Sequence, residues 1–255
     1  MEFGISTLAL HDEKLKDMLE DVNNFKEEYS FNINHMEILF DYPHNTLDSD
    51  LINSYNLNYS IHSPISDINI AALNEGIRVS SINEIKKSID TAAKINAELV
   101  VVHPGKLAFL NQKYLDKALT LTYESLQECK EYADNIGINI TLENMPTIPG
   151  FLYQNIEETN NLASKLNIPM TLDIGHAATA GYDIKDTFFK NIQHIHLSNN
   201  DGKSDLHWQL DKGIIDIKSF LKLFEKNGFN GVYLLEIEEK EDLIKSLDYL
   251  EKNNI

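Results

Sequence analysis

Short apolar runs alternate along this chain with segments whose apolar residues recur every three or four positions. The first run, Phe3-Gly4-Ile5-Ser6, is followed by Leu15, Met18, Leu19, Val22 and Phe25 at helical spacing. Met36-Glu37-Ile38-Leu39-Phe40 comes next, with a short helix expected between Leu47 and Tyr55. Tyr59-Ser60-Ile61-His62 then enters a loop expected to run from Ser63 to Val79. Ser81-Ile82-Asn83-Glu84 reads as a capping box, and Ile85, Ile89, Ala92 and Ala93 would pack inward from its helix.

The fourth run, Leu99-Val100-Val101-Val102-His103, is too apolar for a strand with one solvated face. Its helix carries Leu115, Leu119, Leu126, Tyr132 and Ala133 and should stop at Gly137. The fifth is Ile138-Asn139-Ile140-Thr141-Leu142-Glu143, with a helix expected from Ile156 to Leu166. The sixth is Met170-Thr171-Leu172-Asp173, and the seventh is Ile192-Gln193-His194-Ile195-His196-Leu197. The eighth, Val232-Tyr233-Leu234-Leu235-Glu236, precedes a last helix with Leu243, Ile244, Leu247 and Leu250. Strand–helix units repeated in this way through 255 residues, without a linker, predict a single (β/α)8 TIM barrel over residues 1–255. An open doubly wound sheet would want a Gly-rich nucleotide turn after an early strand, and the chain has none.

Composition narrows the function classes. The formal charge is −18 and Arg78 is the one arginine, which argues against a general nucleic-acid binder. No window approaches the length of apolar sequence needed for a membrane span, and the N-terminus does not read as a signal peptide. The single cysteine, Cys129, falls mid-helix and cannot form an intrachain disulfide. A reducing, cytoplasmic setting is the expectation.

Candidate chemistry gathers where the strands end, which is where a barrel builds its active site. Those positions are His62, His103, Glu143, Asp173 with His176, His196 and Glu236, joined by Asp205-Leu206-His207 in the loop after the seventh strand. Asp173 has a plainer reading as a helix cap followed by a solvent-facing His176. Glu143, Asp173 and Glu236 converging on one mouth would nevertheless repel strongly unless a cation intervened. Carboxylates and neutral imidazoles suit zinc, manganese and related divalent ions. His11, His35, His44 and His194 lie elsewhere and are read as structural or solvated.

These residues carry a resemblance. Ile61-His62-Ser63-Pro64, Val102-His103-Pro104-Gly105, Leu142-Glu143-Asn144, Leu172-Asp173-Ile174-Gly175-His176, His194-Ile195-His196, Asp205-Leu206-His207 and Leu235-Glu236 follow one another in order. In this the chain resembles the xylose-isomerase-like barrel superfamily, which holds sugar isomerases and epimerases together with apurinic endonuclease IV. The resemblance implies two uses of the same positions. As in ketose epimerases, one divalent metal would sit on Glu143, Asp173, His196 and Glu236. As in endonuclease IV, three zinc ions would use all nine. His62, His103 and Glu143 would hold the first, the epimerase set the second, and His176, Asp205 and His207 the third.

The favoured expectation is a sugar or sugar-phosphate isomerase or epimerase, with Glu143 and Glu236 as general base and acid and His176 orienting a substrate oxygen. Lys106 and Lys203 are read as solvated rather than phosphate-binding. The alternative is a zinc phosphodiesterase acting at abasic DNA, disfavoured by the acidic charge. The loop Ser63-Pro64-Ile65-Ser66-Asp67-Ile68-Asn69 is also poor in basic and aromatic residues that could wedge into a duplex. A non-catalytic metal-binding barrel would keep a costly carboxylate cluster for no chemistry. The sequence is compatible with a homo-oligomer and does not fix the sugar.

Overall fold

The alternating pattern closes on itself. In a computed structural model, which describes the backbone of residues 1–255 and all side chains except those of residues 109 and 110, eight parallel strands form one barrel in sequence order. They are β1 (Glu2–Ser6), β2 (Ile33–Leu39), β3 (Asn58–His62), β4 (Leu99–Val102), β5 (Asn139–Glu143), β6 (Met170–Asp173), β7 (Ile192–Leu197) and β8 (Val232–Leu235). Pairing of Glu2 with Val232 and of Ile5 with Leu235 joins β1 to β8 and removes any free sheet edge. Helices α1 (Leu15–Glu28), α2 (Ser49–Ile52), α3 (Glu75–Lys94), α4 (Leu115–Ile136), α5 (Ile156–Leu166), α6 (Ile174–Thr179), α7 (Ile217–Lys226) and α8 (Lys240–Lys252) follow the strands. Among the described residues, no helix is long and apolar enough to cross a membrane.

Most helix boundaries follow local chemistry. Gly137 ends α4 in the left-handed region at φ 85°, its N–H donating back to the carbonyls of Ala133 and Asp134. Asn155 caps α5 by accepting from the Glu158 N–H, and all of the expected span is helical. The capping box expected at Ser81 is absent, because α3 starts at Glu75. Ser81 lies inside that helix, where its hydroxyl donates to the Ile77 carbonyl and accepts from the Asn69 N–H. Helix α2 is one turn, shorter than the pattern suggested. Helix α7, which the strand-by-strand reading passes over, has a clear sequence basis: Asp216 caps it, and Ile217, Phe220, Leu221 and Phe224 form its buried face.

The apolar core lies between helices and barrel wall. An aromatic series joins α7 to β8 and β1: Phe220 to Phe224 at 4.4 Å, Phe224 to Phe229 at 5.6 Å, Phe229 to Tyr233 at 5.0 Å and Tyr233 to Phe3 at 5.7 Å. Barrel strands elsewhere usually fill their interior with branched aliphatics. Here His35, Glu37, Ser60, Thr141, Thr171 and His194 are all fully buried on them. Thr141 and Thr171 meet hydroxyl to hydroxyl at 2.7 Å, and the Ser60 hydroxyl donates to Glu37 at 2.7 Å. His35 and His194 are therefore structural and not solvated, which resolves that pairing of expectations.

Loss of one of these caps should be measurable. Asn155→Ala should lower stability by about 1 kcal/mol. Urea unfolding would then show a lower midpoint with an unchanged slope, and an unchanged midpoint would remove the cap's role.

Candidate metal centre

Each predicted ligand reaches the mouth by a simple route. His62, Glu143 and Asp173 are the last residues of β3, β5 and β6, and His196 is the penultimate residue of β7. His103 and Glu236 follow β4 and β8 directly, His176 lies in the first turn of α6, and Asp205 and His207 come from the loop after β7. All nine come together. His62 Nε2 and His103 Nε2 stand 3.2 and 3.1 Å from Glu143 Oε2. The other oxygen of Glu143 faces His196 Nδ1 at 3.4 Å, and that nitrogen also stands 3.1 Å from Glu236 Oε2 and 4.0 Å from Asp173 Oδ2. His176 Nε2 and His207 Nε2 lie 3.1 and 3.3 Å from Asp205 Oδ2.

Asp173 serves both of the readings its sequence position allows. Its Oδ1 accepts the His176 N–H at 2.6 Å and caps α6. His176 is nevertheless buried at 4% exposure, so the solvent-facing alternative is excluded. Gly175 makes this turn possible, because a Cβ there would lie 2.6 Å from Ser198 Oγ and 3.2 Å from Asp173 Oδ1. Asp173 Oδ2 is buried without any hydrogen-bond partner, as are His196 Nδ1 and Asp205 Oδ1. Orphaned acceptors inside a carboxylate–imidazole cluster are what a divalent cation satisfies, so the residues present fit a metal ion.

The cluster's electrostatics point the same way. Burial, with the charges of Glu236, Glu143 and Asp205, pushes Asp173 up to about 7. Burial alone would lower His62, but the hydrogen bond and charge of Glu143 outweigh it and raise the imidazole to about 9. His207 is raised to about 10 against its own burial, chiefly through Asp205 and Glu236. Protons thus accumulate where a cation would otherwise supply positive charge.

Some supporting residues were not singled out from the sequence. Asn144 clamps the Asp173 backbone with two hydrogen bonds, 2.9 Å to its N–H and 3.0 Å to its carbonyl. Its own carbonyl takes the Nδ1–H of His176 at 2.7 Å. His207 adopts a left-handed φ of 40°, held by its Nδ1–H donating to the Glu236 carbonyl at 2.9 Å. Glu37 lies below the mouth, 3.0 Å from both His194 Nε2 and His196 Nε2. A carboxylate inside the apolar run of β2 was its sequence signal, the same signal that marked Asp173.

Seven of the nine, all but Asp173 and His196, line a cavity of about 470 Å³, together with Leu8, Leu39, Ile65, Met145 and Phe151. Lys106 lines its rim, whereas Lys203 is an exposed loop lysine away from that lining. A larger hollow of about 620 Å³ lies on the flank between α6 and α7, away from the ligand cluster.

A closed eight-stranded barrel with buried carboxylates and imidazoles at its C-terminal mouth defines a class of α/β-barrel proteins built for polar chemistry at the strand ends. More particularly, residues 34–253 match the xylose isomerase-like TIM barrel family, to which this chain belongs. It is 31% identical to the uncharacterized protein MJ1311 of Methanocaldococcus jannaschii, over 99% of this chain and 89% of that protein. A solved structure of a D-tagatose 3-epimerase-like protein superposes with a TM-score of 0.87 at 30% identity, covering 99% of this chain and 96% of the other. Fructoselysine 3-epimerase of Shigella flexneri is 23% identical over 64% of this chain and 60% of its own length. Sugar epimerases, xylose isomerase-like proteins and family 2 AP endonucleases all share the fold, so the fold alone does not separate those chemistries.

Replacing Asp173 tests whether the cluster is built around a cation. Asn caps as well as Asp, so Asp173→Asn keeps α6 while removing one of the crowded negative charges. Metal-free variant should melt at or slightly above the wild-type temperature. With zinc added, a hundredfold weaker ion binding would trim the stabilisation by about 2.7 kcal/mol, or about 5–10 °C. An equal drop with and without zinc, in a thermal melt, would contradict the cation account.

Proposed function

We propose that this protein is a divalent-metal-dependent sugar isomerase or epimerase, acting by proton transfer at the carbon beside a carbonyl. The observation that carries the reading is that donor atoms of Glu143, Asp173, His196 and Glu236 lie within 4.8 Å of one another, with Glu143 and Glu236 lining the mouth cavity. Those four residues would hold the ion, with zinc or manganese the best matches to an imidazole and carboxylate set. When bound, such a cation polarises a carbonyl and the neighbouring hydroxyl and acidifies the C–H between them.

The chain's own groups do the rest. Glu143 and Glu236, from β5 and the end of β8, approach the cavity from different sides of the barrel. One carboxylate oxygen takes the proton from carbon, and the other residue returns it to give the enediolate pathway its two faces. His176, anchored through Nδ1 on Asn144, directs Nε2 into the cavity and orients a substrate oxygen. Leu8, Leu39, Ile65, Met145 and Phe151 give the cavity an apolar wall beside these polar groups.

The cavity's charge favours a neutral sugar over a sugar phosphate. Lys106 is the one lysine among its lining residues, set against Glu143, Asp205, Glu236 and Glu238. A phosphate placed there would meet more negative charge than positive. The expected substrate is a small ketose or aldose without a phosphate, and the expected setting is cytoplasmic.

A second reading is supported by one observation. Donor atoms of His62, His103 and Glu143, and those of His176, Asp205 and His207, form two further groups as tight as the first. A three-zinc phosphodiesterase acting at abasic DNA would use all of them. The acidic mouth and the net charge of −18 weigh against a DNA substrate.

Variant kinetics separate the two. With one ion at work, Glu143→Gln and Glu236→Gln should each cut proton exchange between a deuterium-labelled ketose and solvent by about 10²–10⁴-fold. Asp205→Ala and His207→Ala should cost about tenfold to a hundredfold, as supporting groups do. Equal collapse in all four variants, with one ion lost from three, would replace the single-ion mechanism by a cluster. On an abasic duplex at physiological salt, binding should be undetectable in the micromolar range, where a specific binder would reach about 10⁻⁸ M. Metal-dependent nicking at catalytic protein concentrations would promote the nuclease.

A further inference from the structure

Three histidines of the mouth have one ring nitrogen settled by the backbone. His62 Nδ1 lies 2.8 Å from the Ser63 carbonyl, His176 Nδ1 2.7 Å from that of Asn144, and His207 Nδ1 2.9 Å from that of Glu236. A carbonyl oxygen only accepts, so each Nδ1 carries the proton and each Nε2 is turned to the cluster.

His196 is built the other way round. Its Nδ1 faces Glu236, Glu143 and Asp173, and its Nε2 points down the barrel. There it stands 3.0 Å from Glu37 Oε1, and neither atom makes a hydrogen bond in this structure. Two buried lone pairs at that separation would repel, so one of the two atoms has to carry a proton.

Glu37 is itself held in place. Its Oε2 accepts the Ser60 hydroxyl proton at 2.7 Å and lies 3.0 Å from His194 Nε2. Since Ser60 spends its one proton there, it accepts from His35 Nε2 at 2.9 Å. Burial, aided by the neighbouring His194, holds His35 down at about 3, which suits a neutral donor. All five of these side chains, His196 included, are completely buried.

An ionised carboxylate in that position is costly, and a glutamine would answer its donors more cheaply. The charge needs a partner, and the one route to the mouth runs through the imidazole of His196. We infer that Glu37 is a positioning residue: it fixes the proton of His196 on Nε2 and thereby presents Nδ1 as the ligand atom for the ion. This rests on the proposed ion at Glu143, Asp173, His196 and Glu236. The role that backbone carbonyls play for His62, His176 and His207 falls here to a carboxylate, which also makes the ring a stronger donor.

The test is zinc binding to protein labelled with ¹⁵N in its nine histidines, read by competition with a chromophoric chelator and by NMR. In zinc-loaded wild type, the His196 resonances should show a protonated Nε2 and a zinc-shifted Nδ1. Glu37→Gln should weaken zinc binding by about 10–100-fold. Ser60→Ala, which removes only the support of Glu37, should weaken it in the same direction by less than tenfold. If Glu37→Gln does not fold, the wild-type spectrum and Ser60→Ala decide the matter. Unchanged affinity in Glu37→Gln, or an unprotonated Nε2 in zinc-loaded wild type, ends this inference and leaves the metal reading standing. Loss of one whole zinc equivalent, with the remaining affinity intact, would overturn it by making Glu37 a ligand in its own right. Wild-type protein that binds no zinc ends both together.

Discussion

Repulsion among Glu143, Asp173 and Glu236 is the constraint on which the rest of the site depends. Three carboxylates from the ends of β5, β6 and β8 share one buried mouth, and His196 Nδ1 sits between them. Closing the barrel forces this proximity, because β5, β6, β7 and β8 are successive neighbours in the sheet. Like charges this close, screened from water, are stable only with positive charge among them. Protons on His62, His176, His196 and His207, whose imidazoles, despite burial, the neighbouring carboxylates hold above their ordinary range, supply it in the bare protein. In the proposed function a divalent ion takes that place and turns an electrostatic liability into a reactive centre.

The polar column below the mouth follows from the same constraint. A barrel filled with aliphatic side chains would leave His196 free to turn and its second nitrogen unmatched. Instead, β2, β3 and β7 contribute Glu37, Ser60 and His194, and the ring is met from both sides. Asn144 does comparable work at β6, holding the Asp173 backbone while Gly175 lets α6 begin immediately after it. The site is therefore set by rigid strand ends and their supports, with the loop bearing Asp205 and His207 completing it.

Much of this was legible in the chain. Strand ends such as Leu172-Asp173 and Leu142-Glu143 were visible because a carboxylate closing an apolar run is expensive, and so informative. Gly137 and the α5 span were readable from local chemistry alone. The start of α3 was not: Ser81 and Glu84 match a capping box, but Ser81 finds its partners in the Asn69 N–H and in its own helix. Glu37 carries the same signal but lies inside its strand, away from the strand end where a barrel's chemistry gathers. Its importance depends on β2 and β7 facing each other across the barrel, a relation no local window contains. His35 and His194 were ambiguous for the same reason.

Metal content measured on protein purified without chelator, paired with its melting temperature before and after chelation, tests the central claim most directly. The account predicts at least one tightly held divalent ion per chain, and a lower melting temperature once it is removed, because binding to the folded state alone stabilises it. Protein that carries no metal as purified, and melts at the same temperature with chelator or with added zinc or manganese, would contradict it.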